Sequence, residues 1–553
     1  MAVGQIDCIL VGYNDSDFDA FAGKQKRMAK QSGGFHEIKT NSLFYEGKRL
    51  TYMEYLNKVV EEATGQDPKL NVFEAPALGA CYLKNYLQKR NFETEIINFF
   101  NLGKDKLRQL LKQNPLSVAI TTTFYIDSAP VIEIVEFIRK ENPEVKIIVG
   151  GPHIFNLASD LDDRTLDYVL KSMGADYYII DSQGEQTLGR LMAHLKHGAS
   201  TPAEIPNLAF RGETGTFAKT AREVESNDMD ENSVDWSLFH DNLISPIAYL
   251  RTARSCPFKC TFCNYPTMAG AHVLGSVELL EQELKTLHAA GTTDVVFIDD
   301  TFNVPLPRFK KVLRMMIKNQ FNFRWVSFFR CSNADEEAVE LMRESGCKGV
   351  LLGIESGDQQ QLNYMNKAAK LPRYAWGLEQ LNKNGIASFV SLICGFPGET
   401  RDTVMNTIKF IEETRPTFFN VQLYYHDLRA PIHRQAEKFG IHGAGYNWRH
   451  NSMTWQEAAA WASYMFKNIH NSTPLGLLGF SLWGISYLLS QGITMEQVVQ
   501  FGDLTRPMLY DSLDDKERSY DREFDELKQL FAGFDHEDRL KRYANRSDLV
   551  LAS

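Results

Sequence analysis

Twice along this chain, short apolar strands alternate with helix-length amphipathic stretches, and that rhythm restricts the fold to parallel sheets flanked by helices. The first series has strands expected at residues 6–11, 95–99, 117–122, 145–149 and 177–180, with helical patterns near 78–90, 128–140 and 184–196. Strands joined through helices run parallel, so the expectation is an α/β doubly wound domain. Residues 14–70 break the rhythm and read as an insertion, and 201–242, with Pro202, Pro206 and an acidic run at 223–231, as a linker with a small hairpin. The second series places six strands at 248–252, 294–298, 324–329, 349–354, 388–393 and 418–424, separated by five helical segments. Six such units make a partial (β/α)6 barrel, with its chemistry at the carboxyl ends of the strands. Beyond it the text is mainly helical (455–470, 495–501), and the charged stretch 511–553 reads as a loosely packed cap or tail. The boundaries are 1–200 for the first domain with its insertion, 201–242 for the linker, 243–440 for the barrel and 441–553 for the C-terminal region.

At 553 residues and 44% hydrophobic, the chain has material for more than one core. A net charge of −10 without a basic cluster argues against a nucleic-acid partner. The most apolar stretch, 474–489, carries three glycines and falls short of a bilayer crossing, so it reads as a buried helix pair and no membrane partner is expected. The opening MAVGQIDCILVGYN has neither the basic start nor the cleavage site of a secretory signal, which makes a cytoplasmic location the expectation.

Of eight cysteines, Cys256, Cys260 and Cys263 crowd into one loop just after an expected strand, while the other five are dispersed. Three soft thiolate ligands suit an iron–sulfur cluster and leave one iron open to a small molecule. A zinc site is the alternative, but the paired C-x-x-C units or nearby Cys/His partners expected of one are missing. Here the sequence resembles the radical S-adenosylmethionine (SAM) superfamily, whose C-x-x-x-C-x-Φ-C motif matches with Phe262 in the aromatic place. The resemblance implies a [4Fe-4S] cluster whose open iron is chelated by the methionyl group of SAM, and reductive cleavage of SAM to a 5′-deoxyadenosyl radical.

Further tracts match the family's SAM-contacting segments. Asp299 and Asp300, in FIDDTFN, stand where relatives carry a GGE-like motif and are candidate acceptors for the methionyl amine. Arg330 ends the third strand; its planar fork suits the SAM carboxylate, with a salt bridge as the equal alternative. Glu355, in GIESG, resembles the glutamate that holds the SAM ribose, and Gly395 and Gly398, in GFPGET, follow the fifth strand where they permit close backbone approach, an ordinary strand-to-helix turn being the other reading.

In the first domain, Thr121, Thr122 and Thr123, then Gly150 and Gly151, then Ser182, Gly184 and Glu185 follow successive expected strands and form a crevice at one sheet edge. A nucleotide or flavin could fill such a crevice, although no G-x-G-x-x-G tract is present. Together with the downstream cysteines and the Pro76-Ala-Leu-Gly79 segment, these tracts resemble the B12-binding domain of class B radical SAM enzymes. The D-x-H-x-x-G motif of other B12 proteins is absent, so His153 is not expected to ligate cobalt.

The tracts RTARSCPFKCTFCNYP, FIDDTFNVP, LLGIESGD and GFPGET look most similar to phosphinothricin-type P-methyltransferases and to enzymes that C-methylate natural-product peptides. That likeness implies methylcobalamin as methyl donor, a peptide or small-molecule phosphinate as substrate, and a reducing protein such as a flavodoxin or ferredoxin. Tyr424, Tyr425, His426 and, in the C-terminal region, Trp448 and His450 are candidate substrate-lining residues, and core packing is the other reading of each. Cys394 reads mainly as a small buried residue, a thiol role being the less favoured reading. The rival activity is B12-dependent radical rearrangement or cyclisation; the rival outside catalysis is a cobalamin sensor.

Overall fold

The computed structural model describes residues 6–15, 17–29, 32–181, 183–239, 245–478, 480–516 and 518–542. The chain divides into two compact units, one of residues 1–16, 73–245 and 543–553, the other of 17–72 and 246–542.

The first unit is built on β1 (Cys8–Tyr13), β2 (Thr94–Phe99), β3 (Ser117–Thr121), β4 (Lys146–Gly150), β5 (Tyr177–Ile179), β6 (Leu208–Arg211) and β7 (Phe217–Lys219), in the order β2-β1-β3-β4-β5-β6-β7. The first five pair in parallel and the last two antiparallel. The order reverses between β1 and β3, which opens a crevice at their carboxyl ends. Apolar side chains from both sheet and helices, among them Ile9, Ile120, Ile147, Ile134 and Leu170, fill its core. The stretch expected as a linker thus extends this sheet: its hairpin pairs with β5 and hides the edge strand.

The second unit carries β8 (Ile247–Leu250), β9 (Asp294–Phe297), β10 (Arg324–Phe328), β11 (Cys347–Glu355), β12 (Ala387–Cys394), β13 (Phe418–Leu423) and β14 (Thr473–Pro474), all parallel and in chain order. The expected six-stranded partial barrel is present, and a two-residue strand adds to its far edge. Phe297 and Phe302 stack 4.2 Å apart with Trp325 edge-on to both, and Phe302 meets Phe309 of the helix Leu306–Lys318, so this cluster lies between the sheet and its helices.

Residues 17–72, read from sequence as an insertion into the first domain, pack within the second unit. Arg49 is buried against Ser512, its guanidinium donating to that hydroxyl at 2.7 Å, and it pairs with Asp515. The helix Gly33–Thr40 sits at the carboxyl end of β13, where Glu37 accepts the Leu423 N–H at 2.6 Å. Among the described residues of 474–489, expected as a helix pair, one helix is found, Leu482–Ser490. Downstream of 511 the chain is better packed than its charge suggested: Leu527 and Phe531 of the helix Asp521–Phe531 are buried, and Arg539 donates to Gln491 at 3.0 Å. Among the described residues no helix is long and apolar enough to cross a membrane.

Candidate functional site

In the second unit the three cysteines lie on the loop that leaves β8. All three are free thiols, Cys260 buried and the other two half-buried. A tight turn brings the Cys263 N–H to the Cys260 carbonyl at 3.2 Å. The loop is held from several strand ends. Thr261 donates to Met365 O through its N–H and to Tyr364 O through its hydroxyl, both at 2.9 Å, and its carbonyl accepts the Ile432 N–H at 2.8 Å. Asn366 donates to Lys259 O at 2.7 Å, and the Arg330 guanidinium stacks 3.6 Å from the Phe258 ring centroid.

Burial raises the Cys256 thiol, and burial together with the neighbouring Cys260 and Cys256 pushes Cys263 up to about 11. Cys256 and Cys263 are thus disfavoured as thiolates; an iron cluster would supply the positive charge that their ionisation needs, so the donor set fits a [4Fe-4S] group. Among the described residues, no group of three or more His, Cys, Asp or Glu is gathered tightly enough for a single metal ion.

The other sequence candidates separate into groups. Asp300 lies in the field of Cys256 and Cys263 and hydrogen-bonds to Tyr265. Asp299 points the other way: buried, it accepts from the Thr252 N–H at 2.6 Å, the Thr252 hydroxyl at 2.6 Å and the Ala253 N–H at 3.0 Å, so it organises the turn after β8. Phe262 packs edge-on to Phe396 with centroids 6.4 Å apart. Arg330, placed on the SAM carboxylate by sequence, is buried and donates to Lys367 O as well as stacking on Phe258.

Glu355 ends β11 at φ 66° and forms a 2.7 Å ion pair with Lys367, both side chains being under 10% exposed. Burial alone would lower the Lys367 ammonium, but the Glu355 charge outweighs it, helped by Tyr374 and Cys260, and its pKa lies above the usual value. Sequence reasoning missed Lys367; its only signal was a lysine in the loop that follows the GIESG tract.

Gly395 and Gly398 shape the turn after β12. Gly398 has φ 94°, and a Cβ there would lie 2.7 Å from the Tyr364 ring, so only glycine allows this packing. Gly395 donates its N–H to Glu399 and its carbonyl is met by His450 Nε2 at 3.0 Å. Burial pushes Glu399 up to about 8, and Glu37 likewise; both bear on Cys394, whose thiol is buried and donates to Ala458 O at 3.3 Å. Tyr424 is buried, bonded through its hydroxyl to His426 Nδ1 at 2.9 Å and capped by Trp448, whose indole N–H donates to its carbonyl at 2.7 Å. Tyr425 is 53% exposed and leans on Tyr446.

In the first unit, the crevice at the β1/β3 switch collects the other set of candidates. Thr121 spends its hydroxyl on the carbonyls of Val11 and Gly12, tying β3 to β1, and Thr122 donates to Gly150 O at 2.9 Å. Thr123 lies beside Gly79 of the Pro76-Ala-Leu-Gly79 segment, 3.7 Å from where a Cβ would sit. Gly151 has φ 108°, and its Cβ would meet Thr122 Oγ1 at 2.9 Å. Gly184 caps the helix Glu185–His197 in the left-handed region, and Glu185 is buried and accepts from Asn227 at 2.9 Å. Ser182 lies outside the described residues. His153 is tied to Ser128 at 2.9 Å, and burial lowers its pKa. Phe124 and Ile126 stand 63% and 67% exposed after β3. Exposed apolar groups beside glycine-lined backbone fit a broad, partly apolar ligand such as a corrin better than a bare phosphate.

A model of the B12 binding domain matches residues 72–183, and a model of the Radical SAM superfamily matches residues 250–411. The chain is 25% identical over 350 residues to the uncharacterized methyltransferase PH0819 of Pyrococcus horikoshii, covering 61% of this chain and 73% of that one. It is 23% identical over 375 residues to the anaerobic magnesium-protoporphyrin IX monomethyl ester cyclase of Rubrivivax gelatinosus, covering 63% and 64%. Its fold is similar to that of the radical SAM methyltransferase TsrM from Kitasatospora setae, solved with cobalamin and a [4Fe-4S] cluster bound, with a TM-score of 0.54 at 16% identity over 82% of this chain and 97% of that one. TsrM has also been solved with tryptophan substrate and a SAM analog.

Proposed function

We propose that this chain, a cobalamin-dependent radical SAM enzyme of the methyltransferase kind, methylates an unactivated carbon of a natural-product peptide, with a phosphinate phosphorus as the second substrate to test. The observation that carries the reading is the presence in one chain of two features, a β1/β3 crevice bearing exposed Phe124 and Ile126 in the first unit and a clamped three-cysteine loop after β8 of the parallel partial barrel in the second. Bound cobalamin supplies a methyl carrier, and the cluster with SAM supplies a hydrogen-abstracting radical, chemistry that no side chain provides.

The chain's own part is binding, orientation and exclusion of water. Cys256, Cys260 and Cys263 would hold the cluster, and Thr261, held by Tyr364, Met365 and Ile432, keeps their loop in one conformation. Asp300 and Glu355 are the carboxylates we assign to SAM, Asp300 near its amine and Glu355 near its ribose. Lys367, 2.7 Å away, keeps Glu355 aimed. Asp299 acts indirectly, by bracing the turn from which the cysteine loop departs. Gly151, Thr123 and Gly184 line the crevice for cobalamin. Tyr425, exposed where Tyr424 is buried, is the aromatic we assign to substrate. Support for an amino-acid-derived substrate comes from the tryptophan bound by TsrM.

Incubation with reductant, cobalamin, methyl-labelled SAM and candidate peptides or phosphinates should give labelled product, deoxyadenosine and S-adenosylhomocysteine. The similarity to the protoporphyrin cyclase favours a second reading, cyclisation or rearrangement without methyl transfer. A converted substrate that carries no label and gains no methyl mass would decide for it.

A further inference from the structure

The two faces of the sheet in the second unit meet different surroundings. Successive side chains of a strand point to opposite sides, and Phe297 and Trp325 face the helices. On the other face the register sets Phe328 beside Leu351, Gly353 beside Ser391 and Ile393 beside Gln422. Phe328, Leu351, Gly353, Ile393 and Gln422 are all half-buried, whereas residues between them on the same strands, such as Leu352, Leu392 and Val421, are buried. In a closed barrel the inward residues are packed core. Here the inward face keeps accessible surface while the outward face is sealed, so it walls an open lumen.

The helix Leu482–Ser490 lies against this face. The Trp483 ring stands edge-on to Phe328 with centroids 5.0 Å apart, and a Cβ on Gly349 would meet Leu482 Cδ1 at 3.3 Å. Trp483 is itself half-buried, so the two rings form an aromatic corner with surface left to cover. Polar atoms are left over as well. Gln422 Nε2 donates to Ser391 Oγ at 2.9 Å, and among the described residues the Gln422 side-chain carbonyl, the Trp483 indole N–H and the hydroxyl of Tyr249, on the same face of β8, meet no partner. Burial raises the Tyr249 phenol, which keeps it a neutral donor. The charges that reach this face are paired with one another, Asp294 with Arg324 at 2.6 Å and Glu355 with Lys367 at 2.7 Å.

We propose that this lumen seats an aromatic side chain of the substrate, an indole or a phenol, in the corner of Trp483 and Phe328, with its N–H or O–H donated to the Gln422 carbonyl. This rests on the peptide reading of the function and names the kind of residue that is held. An aliphatic side chain would fill the corner but leave the polar groups of Trp483, Gln422 and Tyr249 without partners, and a charged one would meet only charges that are already paired. A ring with one polar edge satisfies both demands. Gly353 lies directly below Glu355, so the lumen adjoins the carboxylate assigned to SAM.

The test uses the cluster-reconstituted full chain with SAM and without reductant, so that nothing turns over. Isothermal titration calorimetry reads the Kd of four probes: the N-acetyl amides of tryptophan, tyrosine, leucine and lysine. The two aromatic amides should bind at least about tenfold tighter than the other two. Trp483→Leu and Gln422→Leu should each reduce that preference by about fivefold or more, yet hold iron and, with dithionite and no probe, form deoxyadenosine as the wild type does. Tyr464→Leu, on the exposed side of the helix Trp455–Asn468, should leave the preference unchanged. If Trp483→Leu loses its cluster, Gln422→Leu carries the measurement. Equal affinity for all four probes, an unchanged preference in the lumen variants, an equal loss in Tyr464→Leu, or loss of SAM cleavage in Gln422→Leu would each overturn the proposal. Binding is read without turnover, so the two readings fail differently: absence of methyl transfer to peptides leaves the probe preference in place, and an error here abolishes it.

Discussion

Replacing Lys367 by Met should cost more than any other single change of charge near the cysteine loop. The Lys367 ammonium lies 2.7 Å from Glu355, and the two side chains are only 8% and 9% exposed, so removing one partner strands a charge that water cannot reach. Breaking such a buried pair costs about 3–5 kcal/mol, which for a unit of this size corresponds to a fall in Tm on the order of 10 °C. Glu355→Gln is the matching change, and it is chosen over glycine because Glu355 sits at φ 66°, where glycine would relieve backbone strain and blur the result. The double variant removes both charges at once and should recover most of the loss. The damage should also reach the metal site, because the Lys367 carbonyl accepts from Arg330, which stacks on Phe258 of the cysteine loop. Differential scanning fluorimetry of the wild type, both single variants and the double variant gives the coupling, and iron content after anaerobic reconstitution gives the local effect. A Tm shift under about 2 °C in Lys367→Met, or a double variant as damaged as the two singles summed, would refute the argument that this pair is buried and coupled.

The remaining predictions concern the two ends of the chemistry. Glu399 is raised from 4.5 to about 8 by burial, so the folded state holds a proton there that the unfolded state has lost, and stability should fall as pH rises from about 4.5 to about 8. Glu37 adds a slope of the same sign, so Tm measured between about pH 5 and pH 8.5 should vary less in Glu37→Gln/Glu399→Gln than in the wild type; an unchanged slope would mean that neither carboxyl is held neutral. Gly151→Ala forces φ 108° on a residue with a Cβ and drives that atom to 2.9 Å from Thr122 Oγ1. Cobalamin retention, read from the absorbance of the purified protein, should drop while iron content stays at the wild-type level, and loss of both together would show a general folding defect instead.

Strands with strict burial were the most legible part of the chain. The stretch 117–122 was expected and Ser117–Thr121 is found, and 294–298 became Asp294–Phe297, because apolar runs bounded by turn residues have few other uses. Both sheets emerged because the apolar runs recur with helices between them. What stayed hidden were elements specified by partners far along the chain. Arg49 is buried only because Ser512, 463 positions later, accepts its guanidinium; no local pattern marks residues 17–72 as part of the second unit. β14 consists of two residues, Thr473 and Pro474, held by the edge of β13, too short to leave a periodic signal. The stretch expected as a linker resembled one because its hairpin covers a sheet edge and keeps one face in water, so its composition is polar.

The candidate site divides along the same physical line. Cysteine spacing is a local property, and three thiols within eight residues have to lie near one another whatever the fold around them. The direction in which a carboxylate faces is not local. Asp299 and Asp300 are adjacent in sequence, and at a strand end successive side chains point to opposite sides. One therefore turns inward to Thr252 and Ala253 while its neighbour lies in the field of Cys256 and Cys263, and only the register of β9 against β8, with Phe297 opposite Leu250, decides which does which. Lys367 was missed for the converse reason. A lysine in a polar loop is normally solvated, and it becomes a buried ion-pair partner here because Gly353 leaves room: a Cβ on that residue would stand 2.4 Å from Glu355 Oε1 and 3.1 Å from Lys367 Nζ. The glycine in GIESG thus does more than end a strand. By leaving that space it lets Glu355 and Lys367 meet out of water, and their contact fixes the carboxylate we assign to the ribose of SAM.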